Sequence, residues 1–165
     1  MVSGIYIRVM FRGHSHLALD GKGRLAIPAR YRELLQAQCA GRLIVTLDPS
    51  SCLLLYPFPE WEPIERKLNA LPSFNPVSRL MQRVLVGSAS DVDLDSAGRI
   101  LLPAALRERV GLDKEAVLVG QGNKFEIWSA TAWAALYASA NELPGHLAAA
   151  MQSGDIPDDL RDFSL

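Results

Sequence analysis

Two short stretches of the chain set a carboxylate four residues ahead of a guanidinium: Asp20-Gly21-Lys22-Gly23-Arg24 and Asp95-Ser96-Ala97-Gly98-Arg99. A carboxylate in a tight turn accepts backbone N–H bonds and closes it, and an arginine beyond the turn can pair with an acid across it. Asp20 and Asp95 are expected to do this fold-locking chemistry. Arg24 has a second chemistry open to it. It shares a protruding turn with Lys22, and Arg12, His14 and His16 are close in sequence, so a compact positive ridge could meet a polyanion. Lysine and arginine on phosphates supply salt-sensitive affinity, and an arginine on guanine O6 and N7 adds specificity. Arg30 and Arg32, which flank Tyr31, are either ordinary exposed charges or a second phosphate-touching row.

The second stretch differs in its surroundings. Asp91, Asp93 and Asp95 alternate ahead of its turn, where alternate strand residues lie about 6.6 Å apart. An acidic face beside phosphates is unfavourable, so the first turn is expected to meet DNA and Arg99 to be structural or to serve subunit contacts. The three aspartates read as a solvated strand face, or as partners for Arg30 or Arg32 of a neighbouring subunit. No metal is expected on them, since hard-cation sites draw several oxygens from a compact loop.

Other chemistries find no support. The sequence has no GxSxG, P-loop, GxGxxG or metal-ligand spacing, so it is not expected to be an enzyme or to need a cofactor. Cys39 and Cys52 are the only cysteines and form no CxxC; they read as small buried hydrophobes. No apolar run approaches the roughly 20 residues that span a bilayer, and Arg8 and Arg12 interrupt the amino terminus, so a cytoplasmic protein with no membrane partner is expected.

The net charge of −1 hides an asymmetry. Through Leu35 six basic residues (Arg8, Arg12, Lys22, Arg24, Arg30, Arg32) stand against Asp20 and Glu33, whereas from Glu142 onward five acids stand against Arg161 alone. A basic head and an acidic tail result, a pattern that points to interaction surfaces rather than to fold.

The elements that must position these groups are themselves repeated. A slide of 75 positions aligns Leu19, Asp20, Gly23, Arg24, Pro28, Ala29, Arg32 and Glu33 with Leu94, Asp95, Gly98, Arg99, Pro103, Ala104, Arg107 and Glu108. A slide of 72 then sets Cys52–Trp61 on Lys124–Trp133. Each copy reads as strand, turn, strand, short helix, strand, turn, strand. The glycines at 23 and 98 suit the left-handed last position of a three-residue loop, and the prolines at 28 and 103 suit a first helical turn. Copy one has HLALD and RLAIP as strands and RLIVTLD with CLLLYP as a hairpin; copy two has AVLVGQ with KFEIW across Gly122-Asn123. Four short strands in about fifty residues bury too little alone, so the copies are expected to interlock on a pseudo-twofold axis. Helices are expected over 60–71, from Asn75-Pro76 with Leu80, Met81, Val84 and Leu85 inward, and over 131–143 with Pro144-Gly145 ending it. Tyr56, Trp61, Trp128 and Trp133 recur at matching positions and read as core.

The segments MFRGHSHLALDGKGRLAIPARYRE, CLLLYPFPEW, the second DxxGR and GNKFEIW together resemble the MraZ family, bacterial transcriptional regulators of the SpoVT-AbrB (swapped-hairpin) superfamily. The resemblance runs from Met10 to Trp133. It implies an α+β fold, a pseudo-twofold double-repeat swapped-hairpin (AbrB-like) β-barrel with peripheral helices. The corresponding division is an extension over 1–9, repeats over 10–60 and 89–133 around a helical connector over 61–88, and a carboxy-terminal helix and acidic tail over 134–165. It also implies a nucleoid-associated homo-oligomeric ring that represses at short repeated motifs in double-stranded DNA, upstream of the division and cell-wall gene cluster. The residues themselves, read beside that resemblance, give the expected DNA contacts as Arg24, Lys22, Arg12, His14, Arg30 and Arg32, with Asp20, Gly23, Asp95, Gly98 and Arg99 shaping the turns. The alternative is an antitoxin-like module of the same barrel class, whose partner is a protein captured by the acidic tail.

Overall fold

The computed structural model describes residues 9–161 and 163. The extension over 1–9, save Val9, and Asp162, Ser164 and Leu165 of the acidic tail lie outside the described residues. The chain divides into two compact units, one ending at Ala130 and the other beginning at Thr131.

In the first unit, copy one supplies β1 (Phe11–Ala18), β2 (Arg24–Ala26), α1 (Ala29–Cys39), β3 (Leu43–Leu47) and β4 (Leu53–Pro57). Then come α2 (Phe58–Asn69) and α3 (Pro76–Met81), the latter continued by a wider π turn over Gln82–Val86. Copy two supplies β5 (Ser90–Asp91), β6 (Arg99–Leu101), α4 (Ala104–Arg109), β7 (Glu115–Gly122) and β8 (Lys124–Ser129). Pro28 and Pro103 stand just before α1 and α4, where a missing N–H goes unnoticed. Asn75 caps α3 by accepting from Val77 N at 2.9 Å and Ser78 N at 3.1 Å.

The copies interlock by exchanging strands. β1 runs antiparallel to β7 of the other copy, from Phe11 opposite Gly122 to Ala18 opposite Glu115. In return β5 pairs with β3, Ile44 lying opposite Asp91. β4 joins β8, giving one antiparallel sheet in the order β1-β7-β8-β4-β3-β5, while β2 and β6 form a separate two-stranded ribbon. The architecture is mixed α+β. The sheet does not close: β1 and β5 remain its edges, the chain after β5 following β3 through the Val92 and Leu94 N–H bonds to the Leu43 and Gly41 carbonyls before it turns at Asp95. The HLALD strand also differs from expectation, beginning earlier at Phe11; a Leu19–Leu25 bridge and the Asp20 N–H on the Arg24 carbonyl at 3.0 Å tie its end to β2.

One face of this sheet and the ribbon enclose the core. Leu25, Ile27, Leu43, Val45, Leu53, Leu55, Ile100, Leu118, Phe125 and Ile127 are all fully buried there, at the alternate positions that strand geometry selects. Phe11, Tyr31 and Phe125 form an aromatic trio with centroids 4.3 to 5.8 Å apart. Burying apolar area at about 25 cal/mol per Å² is the main driving force holding the two copies together. On the opposite face Trp61 of α2 packs against Tyr56, centroids 5.6 Å apart.

Three expectations about helices are corrected. Leu80 and Met81 point outward, 60% and 42% exposed, as do Val77 on α3 and Phe74 just before its cap; Leu80 and Met81 border a cavity of about 310 Å³ that Val84, Leu85, Leu47 and Arg109 also line. α3 buries none of its six residues, so the apolar periodicity marks an exposed face and not a core one. In the second unit the helix expected over 131–143 is broken. Ala130–Ala138 is α5, Ser139–Glu142 tightens to a 3₁₀ turn, and Pro144 opens α6 (Leu143–Ser153) instead of ending its predecessor. α7 (Asp158–Arg161) is a single turn. Trp133 is only partly buried and stacks on Tyr137 at 5.4 Å, so it is not a core residue like Trp61. Among the described residues no helix is long and apolar enough to cross a membrane.

Candidate nucleic-acid interface

The Asp20 turn is locked by its own carboxylate together with two backbone bonds, Gly23 N–H to the Asp20 carbonyl and Asp20 N–H to the Arg24 carbonyl, both at 3.0 Å. Asp20 Oδ1 accepts from the backbone N–H of Lys22 and of Arg24, both at 2.9 Å, and Oδ2 accepts from Arg24 Nε at 2.6 Å. The second turn repeats this arrangement atom for atom. Asp95 Oδ1 accepts from Ala97 N at 2.9 Å and Arg99 N at 2.8 Å, and Oδ2 from Arg99 Nε at 2.9 Å. These donors hold the Asp20 carboxyl down at about 2, the Arg24 backbone N–H contributing most and its guanidinium next; Asp95 is lowered for the same reasons. Gly23 at φ +84° and Gly98 at φ +74° close the loops in the left-handed region.

Arg24 is thus a turn clamp through its Nε edge, while remaining partly exposed at 29% of its side chain. Lys22 stands exposed at the tip. The lysine shares a groove with Arg107 and, unexpectedly, with Asp91 and Asp93 of the other copy. The three aspartates therefore do not make one acidic face ahead of the second turn: Asp95 folds into that turn, and the exchange carries Asp91 and Asp93 beside the first. Asp91 also faces Arg42 at 3.9 Å.

The other cations spread out instead of forming one compact ridge. Arg12, His14 and His16 occupy alternate exposed positions on β1, with the two imidazoles 6.0 Å apart. Strand rise places Arg12 about 20 Å from Ala18, at the far end of β1 from the turn. Arg30 reaches the opposite face of that strand: its Nη2 donates to Ser15 Oγ at 2.7 Å and Tyr31 Oη at 3.0 Å, while Tyr31 Oη donates to the Arg12 carbonyl at 2.5 Å. Arg32 is half-buried, its Nε donating to the Ile27 carbonyl at 2.5 Å. A basic turn, a basic strand face and an arginine-bearing helix are three separate surfaces of one frame.

Sequence reasoning passed over two features. Arg107 joins the groove of the first turn; its signal was present, since it is the repeat mate of Arg32. The second feature is the meeting of Asp48, Cys52 and Glu126, whose ligand-type atoms lie within 4.8 Å of one another. No sequence spacing could have shown it, because β8 brings Glu126 from the other copy. Burial, with the two carboxylates adding to it, pushes the Cys52 thiol up to about 12. Glu126 is engaged by Trp128 Nε1 at 2.8 Å and Asp48 by Ser50 N at 2.6 Å. As arranged, the group is a protonated thiol among occupied acceptors that supports the β3–β4 turn.

Comparison with known proteins fits the doubled frame. A family model described as "MraZ protein, putative antitoxin-like" matches twice, over residues 10–84 and 85–153. The chain is 54% identical over 156 residues to the Transcriptional regulator MraZ of Nitrosomonas europaea, covering 94% of this chain and 100% of that protein. It is 57% identical over 156 residues to the protein of that name from Nitrosospira multiformis, with the same coverage. For that of Pseudomonas putida W619 the identity is 52% over 157 residues, again 94% of this chain and 100% of the relative.

Proposed function

The chain belongs to the MraZ family, and from that membership we propose that it is a transcriptional regulator which binds DNA through its doubled turns. The observation that carries the reading is the pair of matched turns, each locked by its own aspartate and each presenting an arginine at the surface. A rigid turn spends little ordering entropy when a phosphate arrives. Lys22 and Arg24 on the first turn supply phosphate contacts and the specific base contact; Arg99, expected from sequence to be structural, joins them in this reading because Asp91 and Asp93 lie beside the first turn. Arg12 and His14 on the β1 face, and Arg30 beside it, extend the cationic surface along the duplex.

Two or three cations per turn bind weakly at physiological salt. Several copies of the turn on a homo-oligomeric ring raise the effective concentration of each further contact, which suits DNA bearing short repeated motifs. The exposed apolar residues on and just before α3, with Phe74 98% and Val77 67% exposed, support self-association. In this reading the exchanged strands are the swapped hairpins of the AbrB-like class, carried on an open sheet. The protein represses in the nucleoid-bearing cytoplasm, at motifs upstream of the division and cell-wall genes and at its own promoter.

The test is fluorescence anisotropy on a duplex from upstream of the gene, against a shuffled duplex of equal composition, at about 150 mM salt. Preference of about tenfold or more for the native duplex supports the reading. Equal weak binding to both overturns it in favour of a protein-binding, antitoxin-like role. The observation on that side is α6, where Leu143, Leu147 and Met151 form an exposed apolar stripe ahead of Asp155, Asp158 and Asp159.

A further inference from the structure

The repeat keeps one arginine per copy, at matching positions, that is not in a turn. Arg32 on α1 and Arg107 on α4 are this pair, and each reaches the turn of the other copy. Arg107 Nε donates to the Leu102 carbonyl at 3.1 Å, and the Leu102 N–H donates in turn to the Gly23 carbonyl at 3.1 Å. The guanidinium lies flush on the loop: Cζ, Nε and Nη2 are all within 2.7 Å of the point where a Cβ on Gly23 would stand. The mirror relation holds in the other direction. Arg32 Nε donates to the Ile27 carbonyl, the Ile27 N–H donates to Gly98 O at 2.9 Å, and Arg32 Nε and Cδ lie within 2.5 Å of the would-be Cβ of Gly98.

We propose that Arg107 and Arg32 are positioning residues for DNA recognition, each fixing the pose of the opposite copy's turn. This rests on the DNA-binding reading above. Asp20 locks the turn from within, but Gly23 at φ +84° has no side chain to brace against the frame and keeps a glycine's backbone freedom. The guanidinium removes that freedom by filling the side chain's place with a flat, hydrogen-bonded plate anchored to a different copy. Arginine is required rather than lysine, since an ammonium has neither the plane nor a directed Nε–H. Arg107 is half-buried, with its Nε turned inward onto the Leu102 carbonyl and its guanidinium against Gly23. Arg32, taken from sequence as a possible phosphate row, has the same posture and acts through the second turn.

The experiment compares the full-length wild type with Arg107→Ala and Arg107→Lys in two readouts. The first is anisotropy on the upstream duplex across a salt series. The second is hydrogen exchange of the Gly23 amide in the DNA-free protein; that amide bonds to Asp20 O at 3.0 Å. The expected result is binding about tenfold weaker in both variants, with an unchanged slope of log K against log salt, and Gly23 exchange about tenfold faster. A slope lower by about 0.9 with lysine restoring affinity would make Arg107 a phosphate contact and sink the proposal. Unchanged affinity, whether or not exchange quickens, would make the contact purely structural and sink it too. Should Arg107→Ala fail to fold, Arg107→Gln keeps the stem and a donor without the plane and is read the same way. If the wild type itself prefers neither duplex, the DNA reading fails, and Gly23 exchange alone decides whether the arginine holds the turn.

Discussion

Leu25 of copy one is the register partner of Ile100 of copy two, and both side chains are fully buried. Among the described residues, the three-residue strands they centre on have no partner in the six-stranded sheet. The ribbon is therefore held by what these two residues bury together, along with the backbone bonds the turns make around it. Each turn is followed by a strand whose central apolar residue pairs with its counterpart in the other copy.

Leu25→Ala and Ile100→Ala should each lower stability by about 2–5 kcal/mol, the range for large-to-small changes in a close-packed core. Because they touch a common space, the double variant should lose less than the two losses added, by about 0.5–3 kcal/mol. Urea unfolding of the four proteins measures this. Strict additivity would mean that the ribbon is not a shared unit.

Gly23→Ala and Gly98→Ala should each cost about 1–3 kcal/mol, since both φ angles lie in the left-handed region that a Cβ penalises. A Gly21→Ala control, where an added Cβ meets nothing within 4 Å, should stay within about 0.5 kcal/mol of wild type. Thermal melts of the three variants decide it.

Acid should open the first turn late. The Asp20 carboxyl sits at about 2 in the folded chain against an ordinary 3.8, so its stabilising contribution is full above about pH 5. It then declines as pH falls through 3.8 towards 2. Carboxyl NMR should place the Asp20 midpoint near 2, and Arg24→Ala should move it upward. A midpoint near 3.8 in the wild type would show that the clamp is not made in solution.

Lys22→Ala should weaken DNA binding about equally on native and shuffled duplexes and reduce the salt slope by about 0.9, as for one lost phosphate contact. Arg24→Ala should instead narrow the gap between the two duplexes. The same anisotropy series reads both, and an unaltered slope in Lys22→Ala would remove the lysine from the interface.

Cys52 should resist thiol reagents at about pH 8 in the native protein, given a thiol pushed up to about 12 by burial. Ellman's reagent should count both cysteines in urea and leave Cys52 unreacted without it.

Much of this arrangement was legible in the residue order. The repeat, the glycine-closed turns, the proline-led helices and the hairpin strands all follow from local chemistry, which acts over a few neighbours. What was not legible depends on which copy pairs with which. Asp91 and Asp93 look in sequence like neighbours of the second turn, yet strand exchange sets them beside Lys22 of the first. Arg12 and Lys22 look close, yet an extended strand separates them by its whole length. Leu80 and Met81 follow a helical apolar pattern, but periodicity names a face without saying what covers it. Pro144 can end one helix or begin another, and only the 3₁₀ turn before it settles which.

The exchange of strands has a further result. Two separate half-chains would have to find one another, and their stability would rise and fall with concentration. Joined by the stretch that holds α2 and α3, the halves meet in a single-molecule event at an effective concentration set by that tether. Covalent union also relaxes symmetry: a residue placed in one half need not be tolerated in the other. Lys22 and Ala97 hold equivalent places in turns of the same geometry, and only a fused chain is free to charge one and leave its twin neutral.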